Sequence, residues 1–214
     1  MILFKKILKW TGKIALGILG VVGIFFIIVI IIRAFHFYNL DKTNVEVAKI
    51  HATKLTLDDV MGKNLPPDPG INADKTIAGI DANNNGIRDD VELAMFKEYP
   101  NSAKTRAVLL QYALALQMEF TQSIVNKDTV TEIVTEMGRA HSCVADTLVP
   151  RKSPESSRST IEVDKIYTYT DFVENKQINT DGRKKVEKDF LKYLGSYGDS
   201  TNKECDLDLS TLLN

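Results

Sequence analysis

The sequence predicts an all-α chain in which one apolar N-terminal helix precedes a small bundle of helices. An uncharged stretch runs from Ile14 to Ile32, which is long enough to cross a bilayer as a helix. Farther along, apolar residues recur every three or four positions behind helix-capping signals, which is the pattern of amphipathic helices. About 180 of the 214 residues follow the apolar stretch, enough to bury one core.

The charges on either side of the apolar stretch predict its orientation. Four lysines and the amino terminus precede it, whereas only Arg33 follows closely. The positive-inside rule then keeps the N-terminus in the cytoplasm and exports everything after Arg33. We interpret residues 1–13 as a cytoplasmic basic amphipathic flank, which either lies in the inner headgroup layer or only sets the topology. Residues 14–33 are interpreted as a transmembrane signal anchor in the lipid bilayer.

The alternative to an anchor is a cleavable signal peptide. Cleavage requires a shorter apolar core followed by small residues. The flank from Phe35 to Tyr38 instead carries bulky aromatic side chains. An uncleaved anchor is therefore favoured.

The charge of the exported part argues against nucleic acid as a partner. All 28 acidic residues lie beyond position 40, while five of the 27 basic residues belong to the anchor region, which leaves 22 and a net charge of −6. Binding to nucleic acid rewards clustered lysine and arginine. The exported part also has no Asn-x-Ser/Thr glycosylation site, which favours a bacterial envelope. The predicted location is the inner (cytoplasmic) membrane, with the C-terminal domain in the periplasm.

The exported part divides into an extended segment and a helical domain. Residues 34–70 are predicted as a stalk and a proline-rich extended piece, with a continuation of the helix over Phe35–Leu57 as the alternative to the stalk. Three prolines between Asn64 and Gly70 forbid a helix there. Residues 71–214 are predicted as a domain of four or five helices. The first of these spans Asp89–Tyr99, and a hydrophobic central helix follows it.

Capping residues predict where the later helices begin. The central helix is expected to start at Asn101 or Ser102, and the last helix at Asn179 or Thr180. Two capping boxes are expected at Thr129-x-x-Glu132 and Ser159-x-x-Glu162, and the last helix is expected to end at Gly195.

The only two cysteines, Cys143 and Cys205, both lie on the exported side. In an oxidising compartment an even pair is most simply one disulfide. Two free buried thiols are the alternative.

Residues 81–92 read Asp-Ala-Asn-Asn-Asn-Gly-Ile-Arg-Asp-Asp-Val-Glu and predict one calcium loop. Ca²⁺ takes six to eight oxygen ligands, which a twelve-residue loop supplies from its first, third, fifth, seventh, ninth and twelfth positions. Gly86 occupies the sixth position, where the chain must turn sharply. The predicted ligands are Asp81, Asn83, Asn85, the backbone carbonyl of Ile87, Asp89 and Glu92.

The loop departs from the full pattern in two ways. Its eighth position, usually apolar, is Arg88, and the segment before Asp81 is too short for a normal entering helix. It therefore resembles a solitary EF-hand-like loop, as in dockerin or thrombospondin type 3 calcium loops. Two amide ligands predict weak, millimolar-class affinity and a structural purpose. An Asn-Gly turn followed by an Asp-capped helix is the alternative.

Several motifs together resemble a group of uncharacterised exported bacterial proteins and lipoproteins, over about residues 65–120. The resemblance implies a bacterial envelope location and a calcium-type loop, but it supplies no activity. This chain has a membrane span where those lipoproteins have a lipobox. The motifs are Leu65–Gly70, Gly79–Asp81, Arg88–Glu92, Tyr99–Pro100 and Lys104–Arg106.

The sequence contains no nucleophile motif, P-loop, zinc-protease motif or dinucleotide fingerprint. The sequence therefore favours a protein that is not an enzyme. The leading hypothesis is an envelope-anchored interaction or scaffold domain with an envelope protein as its partner. The alternatives are a calcium-stabilised envelope hydrolase and a calcium-responsive regulator.

Overall fold

The computed structural model describes residues 2–153 and 155–213, and the side chains of residues 2–9, 11–12 and 14–15 lie outside this description. Within the described residues the chain forms seven α-helices and no strand, which confirms the predicted all-α class. The chain divides into two compact units, Met1–Asn44 and Val45–Asn214.

Helix α1 spans Ile2–Ala52 and contains the predicted transmembrane segment. Its part Leu16–Ala52 is long and apolar enough to cross a membrane, with a mean hydropathy of 2.9 over its most apolar window and none of that window buried. The membrane-spanning interpretation rests on the length and composition of the helix, and a signal sequence near the N-terminus shares that length and composition. Apart from Trp10 and Lys13, the side chains of the predicted basic flank lie outside the described residues.

The second unit begins earlier than the predicted helical domain. For the segment after the apolar stretch the sequence left a stalk and a continuation of the helix open, and α1 continues to Ala52. The compact unit begins at Val45, within this segment. The reason is burial, because Ile50, Leu55 and Val60 are core residues of this unit. The proline-rich piece after them is non-helical, as expected.

Six further helices build the second unit, with two short 3₁₀ turns at Gly70–Asn72 and Leu209–Thr211. A long stretch without α-helix between the first two of these helices contains the first eight residues of the predicted calcium loop, and the last four lie in the first turn of the second. The helices are α2 Leu57–Val60, α3 Asp89–Glu98, α4 Ala103–Thr121, α5 Lys127–Leu148, α6 Thr160–Gln177 and α7 Asp181–Leu191.

Helix α4 is the central element, as the sequence predicted. Its side chains are buried on all faces, from Val108 and Leu109 to Met118, which is typical of a helix surrounded by others. It contacts α2, α3, α5, α6 and α7.

The helix starts confirm most of the predicted caps. Ser102 and Thr180 are N-caps, and Ser159 with Glu162 forms a capping box. The box predicted at Thr129 is wrong, because Asn126 caps α5 and Thr129 is the third residue of that helix. Asn126 Oδ1 accepts from the backbone amides of Asp128 and Thr129 at 3.0 and 3.2 Å. The last helix ends at Leu191 instead of Gly195.

The C-terminal segment is fastened to α4 and α5. The sulfur atoms of Cys143 and Cys205 lie 2.08 Å apart, at disulfide distance. Gln111 donates to the Glu204 carbonyl at 2.8 Å and accepts from the Asp206 amide at 2.9 Å. The segment that the sequence predicted to be loose without a disulfide is thus also held by hydrogen bonds.

A buried ion-pair cluster strengthens the same attachment. Arg139 donates to the Lys203 and Glu204 carbonyls at 3.0 and 2.9 Å and to Asp206 Oδ1 at 2.7 Å. Glu136 accepts from Arg139 at 2.8 Å and from Lys54 at 3.0 Å. Burial raises the pKa of Glu136, but these two cations outweigh it, so the pKa lies below its ordinary value.

Candidate metal centre

The backbone of the predicted calcium loop makes two turns that favour specific residues. Asn84 and Gly86 adopt positive φ angles of 57° and 85°, a conformation that asparagine tolerates and glycine favours. A Cβ atom at Gly86 would also lie 2.7 Å from Leu114 Cδ1 on α4. The positive φ angle therefore favours glycine at the sixth position, and any larger residue would also displace the end of the Leu114 side chain.

The side chains at the first, third and fifth positions fold inward over the loop backbone. Asp81 accepts from the amides of Asn85 and Gly86 at 3.1 and 2.9 Å. Asn83 Oδ1 accepts from the Asn85 amide at 3.3 Å, and Asn85 Oδ1 accepts from the Ile87 amide at 2.9 Å. The bonds of Asn83 and Asn85 are Asx turns, and together with those of Asp81 they pre-arrange oxygen-bearing side chains over the loop backbone.

Glu92, on the first turn of α3, reaches back across the loop. Its Oε2 atom accepts from the Nδ2 atoms of Asn83 and Asn85 at 3.0 and 3.1 Å. The structure therefore brings the third, fifth and twelfth positions together, as the twelve-residue pattern requires.

Asp89 and Ile87 complete the predicted set. Asp89 Oδ1 accepts from the Ala82 amide at 3.0 Å, while Asp89 Oδ2 is buried and has no hydrogen-bond partner. Within residues 2–153 and 155–213, no group donates to the Ile87 carbonyl oxygen.

Two of the four carboxylates of α3 are buried without a compensating cation. Asp89 is fully buried and Glu92 is 1% exposed. In the described part of the chain neither forms an ion pair with lysine, arginine or histidine. Burial raises the pKa of Asp89, and it raises the pKa of Glu92 to about 7 although Asn83 and Asn85 act in the opposite direction. Buried carboxylates usually pair with a cation or coordinate a metal.

The residues present fit a calcium ion in their chemistry. Three carboxylates, two amide oxygens and one backbone carbonyl are hard oxygen ligands of the kind that Ca²⁺ prefers. The buried Asp89 Oδ2 atom without a partner is what such an ion would satisfy. In this conformation, however, both asparagine amides face Glu92 through nitrogen, and each would have to rotate to present oxygen.

No group of three or more His, Cys, Asp or Glu side chains is placed to hold a metal ion in the part of the chain that the structure describes. This finding includes the three predicted carboxylate ligands, Asp81, Asp89 and Glu92. Calcium binding by Asp81, Asn83, Asn85, Ile87, Asp89 and Glu92 therefore remains a prediction.

Arg88 accounts for the departure from the loop pattern at the eighth position. Its side chain is fully buried and donates to the carbonyls of Lys176 and Gln177 at 2.6 and 3.1 Å. It also pairs with Asp90 through two hydrogen bonds of 2.5 and 2.9 Å. The last carbonyls of a helix lack partners within it and carry partial negative charge. Arg88 thus fastens the loop to the C-terminus of α6.

A second buried arginine fixes the segment that enters the loop. Arg183 on α7 is fully buried and donates to the carbonyls of Ala73, Thr76 and Ile77 at 2.9, 3.1 and 2.9 Å. Gln117 on α4 donates to the Ala78 carbonyl at 2.7 Å. No entering helix precedes the loop, as expected, and these side chains take its place.

Sequence reasoning missed three contributors to the site. Asn83 Nδ2 donates to the Asn64 carbonyl at 2.9 Å, which ties the loop to the proline-rich segment. Asp59 lies close enough to Glu92 to raise its pKa further. Nothing in the sequence indicated that Arg183 is buried against the loop, whereas the charged residue at the eighth loop position marked Arg88 as unusual.

The alternative of an Asp-capped helix is not seen, since Arg88 is the N-cap of α3 and makes no capping bond.

In the presence of a chelator, the free energy of unfolding should fall as pH rises from about 4.5 to about 7. The pKa of Glu92 is raised from 4.5 to about 7 on folding, so the folded state binds more protons in this interval and loses stability as they dissociate. Such a shift corresponds to up to about 3 kcal/mol. Glu92→Gln should flatten the dependence, measured by chemical denaturation at several pH values. If the free energy of unfolding depended on pH equally in the wild type and in Glu92→Gln, the result would contradict a buried Glu92 carboxylate with a raised pKa.

Arg88→Met should destabilise the domain by about 3 kcal/mol, because two helix carbonyls and a carboxylate lose their donor. Urea denaturation measures the loss. Amide hydrogen exchange should rise at residues 176–178, and Arg88→Lys should give an intermediate result because one ammonium cannot satisfy all three acceptors. A fully stable methionine variant would show that Arg88 does not hold the loop.

Comparison with known proteins assigns no family, since no protein-family model, no curated protein and no solved structure matches the chain. Its function has to be inferred from its own residues and contacts.

Proposed function

We propose that the chain is a membrane-anchored, extracytoplasmic calcium-binding protein of the bacterial envelope whose helical domain serves in interaction or scaffolding. The observation that carries the calcium part is the burial of Asp89 and Glu92 beside the inward-folded loop. The membrane part is supported by α1, and the envelope part by the resemblance to exported bacterial proteins.

The calcium part is supported by the cost of leaving the two carboxylates uncompensated. A charge removed from water without a partner is strongly destabilising, and such a group either takes up a proton or acquires a cation. Asp89 Oδ2 has no partner, and Glu92 has only two amide donors. A divalent ion bound by the loop would neutralise both groups and would complete the predicted pattern.

The bound ion would act on the structure and not on a substrate. The loop connects the segment fastened by Arg183 to helix α3, which packs on α4 and α6. A cation held by Asp81 and Glu92 would link the two ends of this connection. We therefore propose a role in stability, which leaves the rest of the domain surface for an envelope partner.

The extracytoplasmic placement is supported by charge and by the cysteine pair. The lysines before the apolar stretch favour a cytoplasmic N-terminus. Cys143 and Cys205 lie at disulfide distance, and disulfides persist in oxidising compartments such as the periplasm.

Calcium should raise the melting temperature of the full chain in lipid nanodiscs. At ten times the dissociation constant the expected gain is about 1.4 kcal/mol, or roughly 3–5 °C for a domain of this size. Glu92→Gln should abolish the shift. Glu98→Gln is the matched control, because Glu98 lies on the same helix and is exposed, and it should behave like the wild type. An equal shift in the Glu92 variant would place the ion elsewhere.

A reporter that is active only in the periplasm tests the orientation. Fused after Asn214, alkaline phosphatase should be active in a bacterial host, whereas a fusion to Met1 should be inactive, because the lysines retain the N-terminus in the cytoplasm. Activity of the N-terminal fusion alone would contradict the proposed placement.

A further inference from the structure

A groove of about 600 Å³ lies between α5, α6 and the chain segment 197–204. Its floor is one face of α5, where Thr135, Gly138 and Ser142 follow one another at helical spacing. Cavities of this size commonly hold small ligands. The groove is separate from the calcium loop, and no motif in the sequence indicated it.

Gly138 keeps the floor of the groove open. Glycine is a poor helix former, yet it stands within α5, and a Cβ atom there would meet nothing within 4 Å. Neither the backbone nor the packing of α5 therefore requires glycine at this position. The small residue preserves free space above the helix.

The groove carries no net formal charge. Its lining includes three arginines and three carboxylates. Arg151 and Arg158 both pair with Asp146, and Arg139 pairs with Asp206. His141 adds no charge at neutral pH, because burial lowers its pKa. A strongly anionic or cationic ligand would meet no net formal charge in the lining, where Asp199 and Glu204 are the carboxylates that form no ion pair with any described residue.

The uncharged lining combines aliphatic side chains (Val134, Ala145, Val163 and Ile166) with tyrosine rings and hydroxyl groups. Tyr167 and Tyr197 line the groove with 53% and 59% of their surface exposed. Thr135 and Ser142 make no side-chain hydrogen bond to any residue in the described ranges, so their hydroxyls can both donate and accept. Asn202 lies in the same lining and adds an amide group.

We propose that this groove binds a neutral saccharide. Sugar rings present apolar C–H faces that pack on tyrosine rings, and their hydroxyls match the hydroxyl and amide groups of the lining. A fully apolar ligand would bury those polar groups without partners, at a cost. The inference goes beyond the proposed calcium site and does not require it.

The test uses the full chain in lipid nanodiscs, free of sugar-based detergents, and three probes: chitotriose, cellotriose and maltotriose. Saturation-transfer NMR and calorimetry should detect saturable binding of at least one trisaccharide, with equal affinity in calcium and in chelator. Gly138→Trp fills the groove and should weaken binding about 10-fold or more, as should Tyr167→Ala, which removes one ring. Gly138→Ala adds only a methyl group in open space and should leave binding unchanged.

Thermal unfolding of each variant establishes that it is folded. If Gly138→Trp does not fold, Tyr167→Ala gives an independent readout. Absence of saturable binding of all three probes up to about 10 mM, far weaker than ordinary site affinities, would overturn the proposal. Binding that Gly138→Trp and Tyr167→Ala both leave intact would also overturn it. So would preferential binding of an uncharged tripeptide, included as a comparison probe.

Discussion

Two carboxylates buried at the start of α3 are the constraint on which the organisation of this domain depends. Asp89 and Glu92 are removed from water beside a loop that folds three further oxygen-bearing side chains inward. Such burial is tolerated only when protons or a cation offset it. Hydrogen bonds from asparagine amides offset it in part. The calcium proposal follows from the carboxylate charge and the buried Asp89 Oδ2 atom that these hydrogen bonds leave without a partner.

Two buried arginines then place the loop in the domain. The side chain of Arg88 extends from the loop to the C-terminal end of α6, and the side chain of Arg183 extends from α7 to the segment that precedes the loop. Each donates to backbone carbonyls in buried or partly buried positions. In paired EF-hand loops a neighbouring loop supplies such support. Here side chains from the bundle supply it, which is why a single loop without an entering helix can be held in a fixed shape.

Local signals in the sequence predicted most helix starts but not the long-range connections between the helices. Ser102, Ser159 and Thr180 cap helices as predicted, because a cap is decided within four residues. At α5 the cap is Asn126, three residues before the predicted Thr129. The partners of Arg88 and Arg183 lie about 90 and 110 residues away, and no local pattern identifies them. The early start of the domain was missed because Ile50, Leu55 and Val60 stand among polar residues.

The measurement that tests the central claim most directly is a calorimetric titration of calcium into the full chain in lipid nanodiscs. The account predicts one site per chain, millimolar-class affinity, weaker binding of magnesium, and no binding after Glu92→Gln. Absence of saturable heat up to about 10 mM calcium would contradict it, and the loop would then be a turn whose buried carboxylates are balanced by protons and amides alone.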